Sequence, residues 1–576
     1  MKKMASSIAI KCCFPIALLW GVLAFVQETP PIDDPGAAGQ SAVGSRPVEK
    51  GIPSEDPGRG GLPGPQGSAS SSNGSTPNIT HWNKNVTGSR EGTAGKTGRR
   101  WPKNLGGAVS GVEYGIADAI FLGQEKHPNS PFGVGFGRDY KGQQFMTYIR
   151  ELNVRRTKIY LYWHNIEPQN NVYTFDIVDD FINQVKPGDE TLLCVYTSSP
   201  WGAEGVGDGY PPRDYNEYYW FIYDLVTHCK GKIHFWQRDA EPATPGNWDE
   251  NKPQEYVQTQ IEFYNAVKDA DPTAIVVGGG HSGYFIGDTP GSHDFFEYFL
   301  FNGHDHFDWF DVRLYREIYN IPARIKWFRD TMADYGYQKP IIATEYGGPH
   351  PCEFYGYDEI QSILYDLLGG QPTPEALMQA WIHLYRIKDT LSPEMQMFIH
   401  FPSPELEAKR NRIHSRDMVQ RTILALSSGV QYVWYWMLMD AWHPDLGPHP
   451  LFGRLRLADL TMGVREVAFL YYQEMVQKLE GITSVERLTT ANPDIYLFLI
   501  KCGELDDFYI LWERRPPFDG EDWPPTIFTR SFPWPAMSIT DLLGRDELVT
   551  PGGQGSYTFA ISNTPAFLKK TEIAGP

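Results

Sequence analysis

The sequence predicts an α/β protein: a closed parallel (β/α)8 TIM barrel followed by a small antiparallel β-domain. Three observations predict it. Eight short β-rich runs alternate with amphipathic helical stretches in strict β-then-α order. The early Gly-rich phosphate turn of a doubly wound open sheet is missing, since Gly278, Gly279 and Gly280 lack its spacing and no helix follows directly. After the last helical stretch the pattern changes to short strands separated by turn residues.

Taken in order, the barrel strands are Phe132–Phe136, Lys158–Tyr162, Thr191–Tyr196, Ile233–Gln237, Ala274–Gly278, Phe310–Leu314, Pro340–Thr344 and Val430–Trp436. Between them the 3.6-residue apolar period marks helices over Gly142–Leu152, Phe175–Gln184, Tyr215–His228, Pro253–Asp269 and Pro322–Tyr335. The connection 352–421 is long for one strand-to-strand crossing. It reads as helical over Tyr357–Leu368 and Pro374–Leu391, forming a lid or wall over the barrel mouth. A final helix, Val464–Leu479, precedes strands Ile495–Ile500, Phe508–Trp512, Ser538–Thr540, Tyr557–Ile561 and Ala566–Leu568. The domain boundaries are therefore 1–27, 28–107, 108–482 for the barrel and 483–576 for the β-domain.

The N-terminus reads as an export signal or a membrane anchor. Lys2, Lys3 and Lys11 precede an apolar run from Cys12 to Val26, shorter than the ~20 residues of a spanning helix. Residues 28–107 are rich in Gly, Pro and Ser and poor in large apolar side chains, the composition of a disordered tether. Asn73, Asn78 and Asn85 match the glycosylation acceptor pattern, a weak signal in so Asn/Ser-rich a stretch. These features place the bulk of the chain outside the cytoplasm, secreted or tethered through its N-terminus.

Composition narrows the function class. A net charge of −19 disfavours nucleic acid and anionic lipid as partners. Of six cysteines, Cys12 and Cys13 lie in the apolar N-terminal run, and Cys194, Cys229, Cys352 and Cys502 are widely spread with no zinc-ligand spacing. Cys194 reads as a buried thiol. Aromatic residues reach 14%, which suits either a Trp-rich core or a cleft whose flat faces stack on sugar rings. No metal or organic cofactor motif is present, and the oligomeric state is not encoded in any pattern.

In such a barrel, chemistry sits at the C-terminal ends of the strands. Glu167, Glu241 and Glu345 meet that test. The segment IHFWQRDAEPATPGNW (Ile233–Trp248) resembles the fourth-strand motif of clan A glycoside hydrolases, and KPIIATEYG (Lys339–Gly347) resembles the seventh. KIYLYWHNIEPQNNVYTF (Lys158–Phe175) is similar to their second-strand motif, and DVRLYREI (Asp311–Ile318) to their sixth. The tail Ser538–Leu568 is similar to the β-sandwich behind family 39-like enzymes of the β-xylosidase and α-iduronidase type, which makes the C-terminal domain a β-sandwich. The resemblance covers the chain from about residue 108 onward, with four motifs in the right order.

That resemblance implies a retaining O-glycosyl hydrolase with Glu241 as acid/base and Glu345 as nucleophile. Glu167 corresponds to a structural turn after strand two. Tyr315 is implied as a hydrogen-bond donor to Glu345, and Trp436, with Trp434 on the same strand face, as a platform under the sugar. Trp163, Trp201 and Trp248 are further candidates for substrate contact, each balanced against plain core packing. The chain departs from the clan pattern at three places. Ala240 stands where an Asn binds the sugar's 2-hydroxyl, Lys158 where many members carry Arg, and Arg313 where family 39-like members often have His. A permanently charged Arg313 could attract a carboxylate or sulfate on the substrate.

The implied reaction is double displacement on an oligo- or polysaccharide, with the charge on Glu345 holding up the pKa of Glu241. Two alternatives use the same barrel: a carbohydrate-binding protein without turnover, favoured by Ala240, and a transglycosylase that passes the sugar to another hydroxyl.

Overall fold

The computed structural model describes residues 130–137, 144–206, 209–243, 248, 252–281, 290–360, 362, 374–399, 402–439, 455–459 and 463–572. The segments read as an export signal or anchor and as a tether, with the three acceptor asparagines, lie outside them. Among the described residues no helix is long and apolar enough to cross a membrane.

Eight parallel strands close into a barrel in sequence order. They are β1 Phe132–Gly137, β2 Arg156–Tyr162, β3 Glu190–Tyr196, β4 Phe235–Arg238, β5 Ile275–His281, β6 Trp309–Leu314, β7 Ile341–Tyr346 and β8 Val430–Trp436. The ring is completed by β1 pairing with β8, Gly133 opposite Trp434 and Gly135 opposite Trp436. Around it run helices α1 Met146–Glu151, α2 Asp176–Ile182, α3 Tyr215–His228, α4 Pro253–Ala270, α5 Pro290–Asn302 and α6 Ile321–Asp334.

Strand alternation divides the core in two. On β8, Tyr432, Trp434 and Trp436 point inward to join Tyr160, Cys194, Tyr196, Phe235, Val277 and Ile342 in the barrel interior. Val433 and Tyr435 point outward and pack with the helices. Cys194 is buried in the interior and Cys229 in the outer layer, while Cys352 and Cys502 are half-buried. The interior tolerates two indoles on one strand because the facing residues are glycines. A Cβ at Gly133 would lie 2.6 Å from Trp434 Cδ1, and one at Gly135 2.7 Å from Trp436 Cε3.

Within the connection between β7 and β8, α7 spans Pro374–Ile387 and α8 spans Pro404–Ser427. Phe354, Tyr357, Leu384, Met395 and Phe398 extend the interior cluster beyond Tyr315 and Trp436. The α8 helix opens with Pro404 in its first turn and Ser403 as N-cap, its Oγ accepting from Leu406 N at 3.3 Å. The expected helix over Tyr357–Leu368 is described only in part, and residues 357–360 are helical.

A two-residue pair, β9 Ala458–Asp459 with β10 Val464–Arg465, and helix α9 Val467–Lys478 lead into the C-terminal sandwich. Its strands are β11 Ile482–Leu488, β12 Ile495–Cys502, β13 Phe508–Glu513, β14 Thr526–Ser531, β15 Ala536–Thr540, β16 Asp546–Val549, β17 Ser556–Ile561 and β18 Ala566–Thr571. Six form one sheet in the order β11-β12-β13-β18-β15-β16, and β14 pairs with β17. Period-two alternation again assigns the faces. Ile495, Leu497, Leu511, Ala566 and Leu568 pack against Phe528 and Phe559 of the ribbon. Their neighbours Tyr496, Phe498, Trp512 and Phe567 belong to the barrel's outer core. Polar contacts reinforce this face: Trp512 Nε1 donates to the Tyr319 hydroxyl at 3.1 Å, and Arg412 and Arg416 of α8 both reach Glu521 at 2.7 Å.

Candidate active site

Strands β2, β6 and β7 and the turn after β4 bring five charged side chains together. Glu345 lies within β7, one residue before its end, rather than just after the strand as the sequence suggested. Its carboxylate is nearly buried and meets three donors. Lys158 Nζ lies 3.3 Å from Oε1, the Tyr315 hydroxyl donates to Oε2 at 2.9 Å, and Arg313 Nη1 forms an ion pair with Oε2. Each of these contacts favours the charged form of the carboxylate, against its burial.

Glu241 follows β4 after a turn whose backbone is unusual. Asp239 and Glu241 both have positive φ, 40° and 51°, in non-glycine residues, a conformation that costs on the order of 1–3 kcal/mol and needs external support. The support is a pin. The Asp239 carboxylate accepts from Thr197 N at 2.6 Å and Thr197 Oγ1 at 2.9 Å, and pairs with Arg238. Arg238 in turn lies over the rings of Tyr256 at 3.8 Å and Trp248 at 4.7 Å. Burial raises the pKa of Asp239, while Arg238 and Thr197 oppose that rise. Gly280, at φ +110°, lets β5 approach closely: a Cβ there would sit 3.1 Å from Glu241 N. The result is that Glu241 reaches Arg313, its Oε1 3.8 Å from Nη1.

One guanidinium nitrogen therefore touches both carboxylates. Arg313 is fully buried and also donates through Nε to Asp311 Oδ2 at 3.3 Å and through Nη2 to the Tyr160 hydroxyl at 3.4 Å. Burial opposes its charge, but Asp311 and Glu241 outweigh that and hold its pKa above the ordinary arginine value. Lys158 is moved the other way. Desolvation and the neighbouring Arg313 lower its pKa, against the pull of Glu345. Burial, first of all, raises the Tyr315 hydroxyl well above its usual range, so it stays a donor.

Asp311 is a member of the site that sequence reasoning left without a role. Its Oδ2 accepts from Gln237 Nε2 at 2.8 Å and Thr344 Oγ1 at 2.7 Å, and its Oδ1 from Thr344 N at 2.7 Å. Thr344 Oγ1 also receives Lys158 Nζ at 2.8 Å. A signal was present: Asp311 and Arg313 occupy alternate positions of an apolar strand, which puts both charges inside the barrel. With its fork engaged by Asp311, Glu345 and Tyr160, Arg313 is already committed to partners inside the protein.

The tryptophans divide. Trp436 is level with the charged cluster, edge-on to Tyr160 at 5.5 Å, but only 2% exposed. Trp434 lies one layer deeper, against Phe235 at 6.2 Å and Tyr432 at 6.2 Å, because two residues along a strand separate them by roughly 6–7 Å. Trp163, Trp201 and Trp248, entertained as substrate contacts, pack in the outer layer instead. Trp163 donates to Glu167 at 2.7 Å and stacks on Phe221, and Trp201 donates to the Glu167 carbonyl at 2.8 Å. Glu167 also accepts from Asn171 N at 2.7 Å, so it closes a turn. The turn after β2 directs Trp163 outward, which strand alternation alone does not foresee.

No protein-family model and no curated protein matches the sequence. Among solved structures, the chain resembles a family 39 glycoside hydrolase from the gut symbiont Bacteroides cellulosilyticus WH2, with a TM-score of 0.54 and 14% identity over 77% of this chain and 81% of that one. A monomeric β-xylosidase from Caulobacter crescentus CB15 aligns at a TM-score of 0.48 and 13% identity, covering 77% of this chain and 97% of that one. A family 51 α-L-arabinofuranosidase from Bifidobacterium longum aligns at 0.47 and 12% identity, over 78% and 97%. At these identities the first likeness is one of fold: a barrel with the class's usual location for a site, at the C-terminal ends of its strands.

Proposed function

We propose that the protein is a retaining glycoside hydrolase acting on an oligo- or polysaccharide outside the cytoplasm. One observation carries the reading: Glu241 and Glu345, from strands four and seven, converge on a single guanidinium nitrogen at the barrel mouth. Two carboxylates about 5–5.5 Å apart are what double displacement requires. The glycoside hydrolases of similar fold agree with it.

In the first step Glu345 attacks the anomeric carbon as the C–O bond to the leaving group breaks and Glu241 donates its proton to the departing oxygen. In the second, Glu241 takes a proton from water, whose oxygen displaces Glu345 from the glycosyl ester. Lys158, Tyr315 and Arg313 keep Glu345 ionised and oriented. Trp436, level with Lys158 across Gly135, is the indole offered as the platform under the sugar. An export signal or anchor at the N-terminus would deliver the enzyme to its polymer.

A second reading has its own support. Arg313 Nη1 bridges the two carboxylates, and the Ala240 side chain offers the 2-hydroxyl no partner. Both features suit a barrel that binds sugar without turnover. A panel of aryl glycosides and polysaccharides separates the readings. Hydrolysis by the wild type, abolished in Glu345→Ala, supports the enzyme; binding without release of product supports the alternative. Product analysis with an added acceptor identifies a transglycosylase.

A further inference from the structure

In a two-carboxylate site the acid must hold its proton while the nucleophile is ionised, and the nucleophile's unbalanced charge ordinarily provides this. Here that charge is balanced. Among the described residues Glu241 meets Arg313, and around that guanidinium gather Tyr160 from β2, Tyr196 from β3, Asp311 and Tyr315 from β6 and its end, and Glu345 from β7, with Lys158 of β2 on Glu345 and His350 edge-on to Tyr315 at 5.3 Å. Beta-strand five contributes the backbone of Gly280, β8 contributes Trp436, and Asp239 is neutralised locally by Arg238. Among the described residues of this cluster Arg313 and Lys158 face Asp311 and Glu345, and without Arg313 one cation would face those two carboxylates.

We propose that Arg313, by bridging the two carboxylates, sets the pH at which Glu241 ionises and confines turnover to acid solution. Arg313 is a positioning residue: it acts through Glu241 and Glu345 and need not touch the reacting bond. Its contact with Glu345 favours the ionised nucleophile, and its 3.8 Å approach to Glu241 favours early loss of the acid's proton. An acid works only while protonated, so activity falls as pH rises through the Glu241 ionisation. A cation that lowers that ionisation moves the alkaline limb of kcat/KM toward lower pH. The inference rests on the glycosidase reading for its kinetic consequence, but its electrostatic core does not.

Two measurements test it. In kcat/KM profiles, Arg313→Gln should raise the alkaline limb by about 1–3 pH units, the reach of an opposite charge at such distances, while Arg313→Lys, which keeps the charge, leaves the limb where the wild type has it. A purely structural loss would lower the profile without moving the limb. In the wild-type chain, carbon-13 carboxyl titration, with Glu241 assigned through Glu241→Gln, should show Glu241 ionising below the ordinary glutamate value of about 4.3. An unmoved limb in Arg313→Gln, or a wild-type Glu241 titrating above that value, overturns the proposal. Should no sugar be hydrolysed, a low Glu241 titration still upholds it, and the failure belongs to the glycosidase reading alone.

Discussion

The Tyr315 hydroxyl donates to Oε2 of Glu345 across 2.9 Å, from the end of β6 to the neighbouring β7. The backbone that carries Tyr315 is held from behind by Arg421, whose Nη1 donates to the carbonyls of Leu314 and Arg316 at 3.1 and 2.6 Å. Removing the hydroxyl deletes one charge-assisted bond of about 1.5–3 kcal/mol. Tyr315→Phe should therefore lower kcat on the order of 10- to 100-fold and cost up to about 1.5–3 kcal/mol of stability, as steady-state kinetics and calorimetry would report.

Asp311 is the buried anion on which Gln237, Thr344 and Arg313 converge. Its removal strands a buried guanidinium and several donors. Asp311→Ala should cost about 3–5 kcal/mol in urea unfolding, the penalty of breaking one side of a buried charged pair. Asp311→Asn, which keeps the shape and some acceptors, should cost less.

Gly135 makes room for Trp436. A methyl there would meet the indole at 2.7 Å, so Gly135→Ala should displace Trp436, destabilise by about 1–3 kcal/mol and depress activity. Gly553 provides the control, since a Cβ there meets nothing within 4 Å, and Gly553→Ala should be nearly silent in both assays.

His414 on α8 predicts an acid-labile fold. It is buried against the Tyr435 hydroxyl, which itself donates to the Leu455 carbonyl at 2.8 Å. Burial, helped by Arg410 and Arg421, lowers its pKa to about 3. Folded His414 stays neutral while the unfolded chain takes up a proton below about pH 6.5. Its contribution is therefore complete above pH 6.5 and lost progressively as pH falls toward 3, a change on the order of 5 kcal/mol. In urea titrations across that window, His414→Asn should flatten the decline in stability.

The barrel was legible because strand and helix periods alternate cleanly along the chain: β8 and α3 have the bounds their patterns imply. Legibility failed where the pattern had a physical reason to be hidden. Helix α8 buries Arg410, His414, Arg416, Asp417, Gln420 and Arg421 alongside its apolar residues, so no polar face marks it. Strand β5 runs on through Gly279 and Gly280, which read as a strand end yet take positive φ at a register shift against β6. Strands β11, β14 and β16 carry charged, half-exposed side chains and little apolar alternation. At the candidate site, the motifs named Glu241, Glu345, Lys158, Arg313 and Tyr315, which the fold brings together. The shared contact of Arg313 with both carboxylates depends on the turn pinned by Asp239, and no spacing in the sequence encodes it.

Trapping with a panel of 2-fluoro glycosides, followed by mass mapping of the labelled peptide, bears most directly on Glu345. Double displacement predicts a single sugar ester on Glu345 and none in Glu345→Ala. A stable adduct on any other side chain, or continued hydrolysis by Glu345→Ala, would contradict it.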